Sequence, residues 1–278
     1  MMRPNPVTTD DERTLRRLLG EAGLAPWAGE LVEVAEHGIA LGTRPAGFDG
    51  PEPFSRCGGV PAVPPGFVWP GTESGPEAVP DCFVAQIDLT EVASADVNGL
   101  LPPRGLLYFF FPGDDGFRGR DPVSVLHFPD HTAADTAPYD VASDPAFADP
   151  EAGWGAPPWE FTGPPAPLYA AGKALLATVF RFHDEPLVDL PEEAMDRLFA
   201  LPATALDVAP QHRASMVLLG PDRDPDQYVV PPHGRGPERV LLAAGRPDFT
   251  GCPLYYVIRD EDLAAADFGG VEAVTVQH

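Results

Sequence analysis

Residues 55–70 read "SRCGGVPAVPPGFVWP", with three glycines and four prolines in sixteen positions. Proline fixes φ and lacks an N–H, so the prolines pre-extend the chain here. Glycine supplies positive φ and close backbone approach. The segment is expected to be a rigid turn. Its prolines lower the entropy lost on ordering, and Phe67 and Trp69 bring enough apolar area to anchor it in a core.

The stretches that follow have a different pattern. "CFVAQIDL" (82–89) and "GLLYFFF" (105–111) are strands by their aromatic and aliphatic content, and "VSVLHF" (123–128) reads as a third. Between the first two, "NGLLPPRG" reads as a turn rather than a helix. Antiparallel neighbours are the economical arrangement. In the second half "ALLATVFRF" (174–182), "ERVLLAAG" (238–245), "PLYYVIRD" (253–260) and "VEAVTVQ" (271–277) are predicted strands. "PEEAMDRLFAL" (191–201) and "DEDLAAADF" (260–268) are predicted helices, and "ASMVLLG" (214–220) is ambiguous.

The chain opens with helical spacing. Thr9 and Glu12 read as a capping box ahead of Leu15, Leu18 and Leu19. Pro26 starts a second helix through "WAGELVEVAEH", and "GIALGTRP" is a short strand. An apolar strand, a loop and an aromatic-rich strand occur in both halves, which predicts duplication of a β unit. The expected fold is α+β, mostly antiparallel sheet with a few short helices, in a single domain over 1–278. An N-terminal helical segment occupies about 9–36. Residues 129–172 hold no Lys or Arg and are rich in Pro, Ala and Asp. They are expected to form an irregular surface excursion, pinned by Trp154 and Trp159.

Lys and Arg number 18 against 42 Asp and Glu, a net charge of −24. That excludes phosphate-backbone and anionic-membrane partners on electrostatic grounds, and leaves a basic protein as the partner the charge would favour. No apolar run reaches the length of a membrane span. The first twenty residues lack the apolar stretch of a secretion signal, so the expected compartment is the cytoplasm. Cys57, Cys82 and Cys252 are widely spaced and form no metal or disulfide pattern.

Four groups of residues could carry chemistry. Cys57, beside Arg56 and followed by two glycines, has the neighbours of an activated thiol. No His lies near it in sequence, although His183 or His212 could approach in space, and a core role competes with this reading. His127 and His131 are four apart, but Pro129 prevents a helix there and no third ligand is indicated. His183, Asp184 and Glu185 cluster at a strand end, where acidic turns are usually only solvated. Gln86 and Asp88 alternate on one strand and therefore share a face, with Val84, while Phe83, Ala85 and Ile87 point the other way. Buried, they must be hydrogen-bonded. They either clamp the Gly/Pro loop, through its N–H groups or Arg56, or line a pocket. No nucleotide, hydrolase-elbow or zinc-protease motif is present, and neither cofactor nor metal is expected.

The loop 55–70, "FVAQIDL" and "GLLYFFF" resemble, in order and spacing, the YwqG-like bacterial family, whose function is unknown. "LYYVIRDEDLAAADFGGVEAV" resembles its closing strand, helix and strand, and His212–Arg213 match a His ahead of a Gly-containing segment. The likeness covers roughly 40–278. One departure stands out. Where members carry an acidic Trp-Gly-Asp segment, this chain has "LLAAGRPDFTGCPLYYV", keeping only Asp248 and Gly251. The resemblance implies an antiparallel α+β fold and no reaction. The residues expected to bind are Arg56, Gln86, Asp88, His212 and Arg213, with none catalytic. The function expected is a non-catalytic binding protein, inhibitor- or immunity-like toward a basic partner. The alternative is a hydrolase with a cleft beside 55–70.

Overall fold

The computed structural model describes residues 8–33, 35–42, 51–71, 79–112, 120–144, 147, 165–177, 180–181, 185–186, 190–200, 214–219, 238–244 and 254–275. The chain begins with helix α1 (Thr9–Glu21), a single 3₁₀ turn at Ala25–Trp27, and α2 (Ala28–Glu33). The cap of α1 sits one residue earlier than the sequence pattern placed it. Thr8 is the N-cap and its side chain accepts from the Asp11 N–H at 3.3 Å. Leu15 and Leu19 share the inner face of α1 and pack with Leu31, Val32, Ala194 and Leu198 in a small helical core.

Strand β1 (Ala35–Gly42) follows at once, taking "AEH" from the predicted second helix. Next come β2 (Arg56–Cys57), β3 (Ala62–Val63) and β4 (Cys82–Asp88). β4 runs directly into a one-turn helix, α3 (Leu89–Val92), which takes Leu89 from the predicted strand and precedes the predicted turn "NGLLPPRG". After β5 (Leu106–Phe111) come β6 (Arg120–Pro122), β7 (Val125–Phe128), β8 (Ala137–Pro138) and β9 (Ala166–Pro167). Then follow β10 (Tyr169–Ala177), β11 (Phe180–Arg181), β12 (Glu185–Pro186) and helix α4 (Glu192–Ala200). The chain continues through β13 (Ala214–Leu218), β14 (Glu238–Ala244), β15 (Leu254–Arg259), α5 (Asp260–Ala264) and β16 (Glu272–Thr275).

All the strand pairings described are antiparallel, so the fold is α+β with mostly antiparallel sheet. A seven-stranded sheet has the order β10-β1-β13-β14-β15-β16-β6, and a five-stranded sheet the order β7-β5-β4-β2-β9. The edge strands are continuous in sequence across the two sheets. β6 passes through Val123 and Ser124 into β7, and β9 passes through the buried Leu168 into β10. Strands that switch sheets in this way turn the corners of a sandwich and protect its edges.

Between the sheets lies the main core, which includes Ile39, Ile87, Leu107, Phe109, Leu242 and Tyr256. Tyr256 is fully buried against Phe109, and its hydroxyl donates to the Phe110 C=O at 3.1 Å, tying one sheet to the other. Burial holds its phenol well above the ordinary tyrosine range. The outer face of the five-stranded sheet carries Phe83, Leu106, Tyr108 and Phe110, and the Gly/Pro loop covers it.

Alternation along β4 departs from the simple period-two reading. The register shifts between Phe83 and Ala85, a β-bulge at Val84. Phe83 therefore joins the outer face with Gln86, and Val84 joins the inner core with Ala85 and Ile87. The extra residue reverses the predicted faces of 83 and 84 and leaves those of 86 and 88 intact.

Within 129–172 the described residues are more ordered than the expected excursion. β8 pairs with β3 of the loop, Ala62 opposite Pro138 and Val63 opposite Ala137. Tyr139 donates its N–H to the Pro61 C=O at 2.9 Å. β9 and the start of β10 lie in the same stretch, while Trp154 and Trp159 lie outside the described residues.

Candidate functional site

Arg56, Gln86 and Tyr108 stand in one row across three strands, Arg56 opposite Gln86 and Gln86 opposite Tyr108. All three side chains hold the backbone of the Gly/Pro loop. The Arg56 Nη2 donates to the Val60 C=O at 2.5 Å. Gln86, 1% exposed, accepts the Ala62 N–H at 2.9 Å and donates from Nε2 to the Phe54 C=O at 2.8 Å. The Tyr108 hydroxyl donates to the Ala62 C=O at 2.8 Å. Prolines at 61, 64 and 65 leave the loop few N–H groups of its own, so it lies over the sheet on side-chain bonds instead of a strand ladder.

A second clamp comes from α3. Asp88 is its N-cap, and its Oδ1 accepts the Thr90 N–H at 2.8 Å and the Thr90 hydroxyl at 2.7 Å. In an ordinary capping box the Glu at the third helical position would reach back to the Asp88 N–H. Here Ser55 Oγ accepts that N–H at 2.9 Å. Glu91 is thereby released to accept the Phe54 N–H at 2.8 Å and the Ser55 N–H at 2.9 Å. The sequence reading missed Glu91, although Asp88-x-x-Glu91 carries a capping signature. Asp88 shares the face of Gln86, but its carboxylate serves the helix and not the loop.

Backbone geometry completes the turn. Gly58 and Gly59 have φ of 64° and 67°. A Cβ on Gly59 would sit 2.7 Å from the Cβ of Pro165. Phe67 meets the rings of Trp69, Tyr108, Phe110, Phe128 and Tyr139, and the Trp69 indole donates to the Asp81 C=O at 2.8 Å. Val68 between them is 77% exposed.

The electrostatics oppose nucleophilic chemistry at Cys57. Burial pushes its thiol up from the ordinary cysteine value, with only partial offset from a backbone hydrogen bond. Its Sγ lies 3.8 Å from the Ala166 carbonyl oxygen, and the residue packs against the main core. Burial lowers the Arg56 guanidinium from its usual value, and Glu52 partly offsets this. The Arg56 Nε is buried with no hydrogen-bond partner among the described residues. Burial also pushes Tyr108 up, so its hydroxyl stays a donor to Ala62.

His127 packs on Phe268, and His131 lies against Phe128. Among the described residues no group of three or more His, Cys, Asp or Glu is placed to hold a metal ion. His183, Asp184, Cys252, Asp248, Gly251, His212 and Arg213 lie outside the described residues.

Outside the clamp is an open groove between the loop and the segment around β8. It is lined by Val63, Pro64, Pro65, Ala137, Pro138 and Tyr139, with Asp135 and Asp140 beside them. Asp135 accepts the Thr132 N–H and hydroxyl, each at 2.8 Å, and these bonds hold its carboxyl below the usual range. Asp140 accepts the Ser143 hydroxyl at 2.6 Å, and the Tyr139 hydroxyl donates to Asp144. Cys57 does not line this groove.

No helix among the described residues is long and apolar enough to cross a membrane. Compared with known families, residues 55–205, starting at the first residue of the loop, fit the family described as "Domain of unknown function (DUF1963)". No curated protein matches the chain.

Proposed function

The chain belongs to the DUF1963 family, and we propose that it is a non-catalytic binding protein of the YwqG-like kind, presenting an acidic surface to a basic protein. One observation carries this reading: the polar residues that surround the family-like loop are spent on the backbone of the loop and of Phe54 beside it. Gln86 and Tyr108 both bind Ala62, and Glu91 binds Phe54 and Ser55. A catalytic group must instead face a reacting atom with a base within hydrogen-bond reach. The Cys57 thiol packs against the core with its pKa raised, the reverse of an activated nucleophile. The rigid loop is a platform, and the net charge of −24 supplies long-range attraction for a cationic partner. An inhibitor- or immunity-like role toward a basic protein fits this platform, and so does a cytoplasmic setting.

Affinity capture tests the proposal. The full chain, immobilised, is exposed to soluble extract of its source cells at low ionic strength and eluted with salt. The reading expects the eluate to be dominated by a few basic proteins. An eluate no more basic than the starting extract contradicts it.

A further inference from the structure

The groove between the loop and β8 combines an apolar floor with acidic walls. Its floor is Val63, Pro64, Pro138 and Tyr139, and Asp135 and Asp140 stand at its side. Among the described residues no Lys, Arg or His lines it. Prolines at three lining positions have no N–H to offer an incoming strand, so backbone addition is disfavoured and recognition must rest on side chains. It encloses about 240 Å³ and is open to solvent. That is below the roughly 300–1,000 Å³ of a pocket that engulfs a drug-sized molecule.

Arginine has the matching chemistry. Its stem is apolar and lies well on proline and tyrosine rings, and its planar fork pairs with carboxylates. Both carboxylates are held in place by hydrogen bonds from Thr132 and Ser143, so little side-chain entropy remains to be lost on pairing. Resting on the binding reading above, we infer that this groove is where a basic partner docks, through an arginine-bearing extended segment whose stems lie on Pro65, Pro138 and Tyr139 and whose guanidinium groups meet Asp135 and Asp140.

The probe is a fluorescein-labelled octapeptide of alternating Arg and Ala, titrated by anisotropy against the full chain at low ionic strength. Asp135→Asn with Asp140→Asn removes two charges from the groove while keeping an acceptor oxygen at each site. Asp10→Asn with Asp267→Asn removes two exposed charges elsewhere. The groove pair is expected to weaken binding about five- to tenfold, and the distant pair less than about twofold, since exposed ion pairs are individually weak. Ala137→Arg, at an exposed lining position, is expected to block the groove and abolish the saturable signal. Equal weakening by both pairs, or binding unaffected by the groove variants, overturns the groove assignment while leaving an acidic binding protein standing. Failure of the unaltered chain to bind the peptide counts against the binding reading itself, and the groove falls with it.

Discussion

Gln86 and Tyr108 stand opposite each other on neighbouring strands and grip the same residue of the loop, Ala62, one by its N–H at 2.9 Å and the other by its C=O at 2.8 Å. Neither strand alone would fix the loop. Gln86→Met leaves the Ala62 N–H and the Phe54 C=O without their partners, an expected loss of about 2–4 kcal/mol. Tyr108→Phe is expected to lose about 1–2 kcal/mol. Because both act on Ala62, their effects should be non-additive by about 0.5 kcal/mol or more in a denaturation double-mutant cycle. Strict additivity would mean the two bonds do not share the loop.

Gly59 and Gly99 separate strain from crowding. Both have positive φ, 67° and 61°. A Cβ on Gly99 meets nothing within 4 Å, whereas one on Gly59 meets Pro165 at 2.7 Å. Gly99→Ala should cost about 1 kcal/mol from backbone strain alone. Gly59→Ala should cost about 2–4 kcal/mol, because a packed ring must also move. Equal melting temperatures for the two variants would contradict this account of the loop's packing.

Cys57 should behave as a core thiol. With its pKa raised by burial, it is thiol and not thiolate at neutral pH. Alkylation, followed by mass spectrometry of the Cys57 peptide, should be slow at pH 7. It should rise only at a pH above the roughly 8.5 of an ordinary cysteine. Rapid labelling at pH 7 would reverse the assignment.

Much of this was legible from residue type. The Gly/Pro loop, the Gln86 strand and the aromatic strand each have local patterns strong enough to place them. Phe67 and Trp69 anchor the loop as their apolar area implies. What was not legible is what long-range contacts decide. The bulge at Val84 inverts two side chains and leaves no mark in a seven-residue strand. The two-residue strands β3 and β8 form only because Ala62 meets Pro138 across a sequence separation of 76 positions. Glu91 carried a recognisable capping pattern, but its release to the loop depends on Ser55 arriving from 33 residues upstream of Asp88. His212 and Arg213 rested on resemblance alone, and lie outside the described residues.

His127 makes stability pH-dependent. Burial lowers its folded pKa below the ordinary value, with a partial offset from its hydrogen bond with the Ala266 backbone. The unfolded chain then binds more protons than the folded one as pH falls through about 6.5, so stability is present above that pH and declines below it. His127→Gln should flatten the stability profile between pH 7 and 5 by up to about one proton. Parallel profiles for the two proteins would contradict the burial of this imidazole.

The measurement that bears most directly on a non-catalytic acidic binding protein is the association rate of the captured basic partner as a function of ionic strength, by stopped flow. With a net charge of −24, attraction reaches beyond contact and is screened over about 8 Å at physiological salt. The account predicts an association rate constant that falls steeply as salt rises, with dissociation changing far less. An association rate equal in low and high salt would contradict it, leaving the acidic surface as a device for solubility alone.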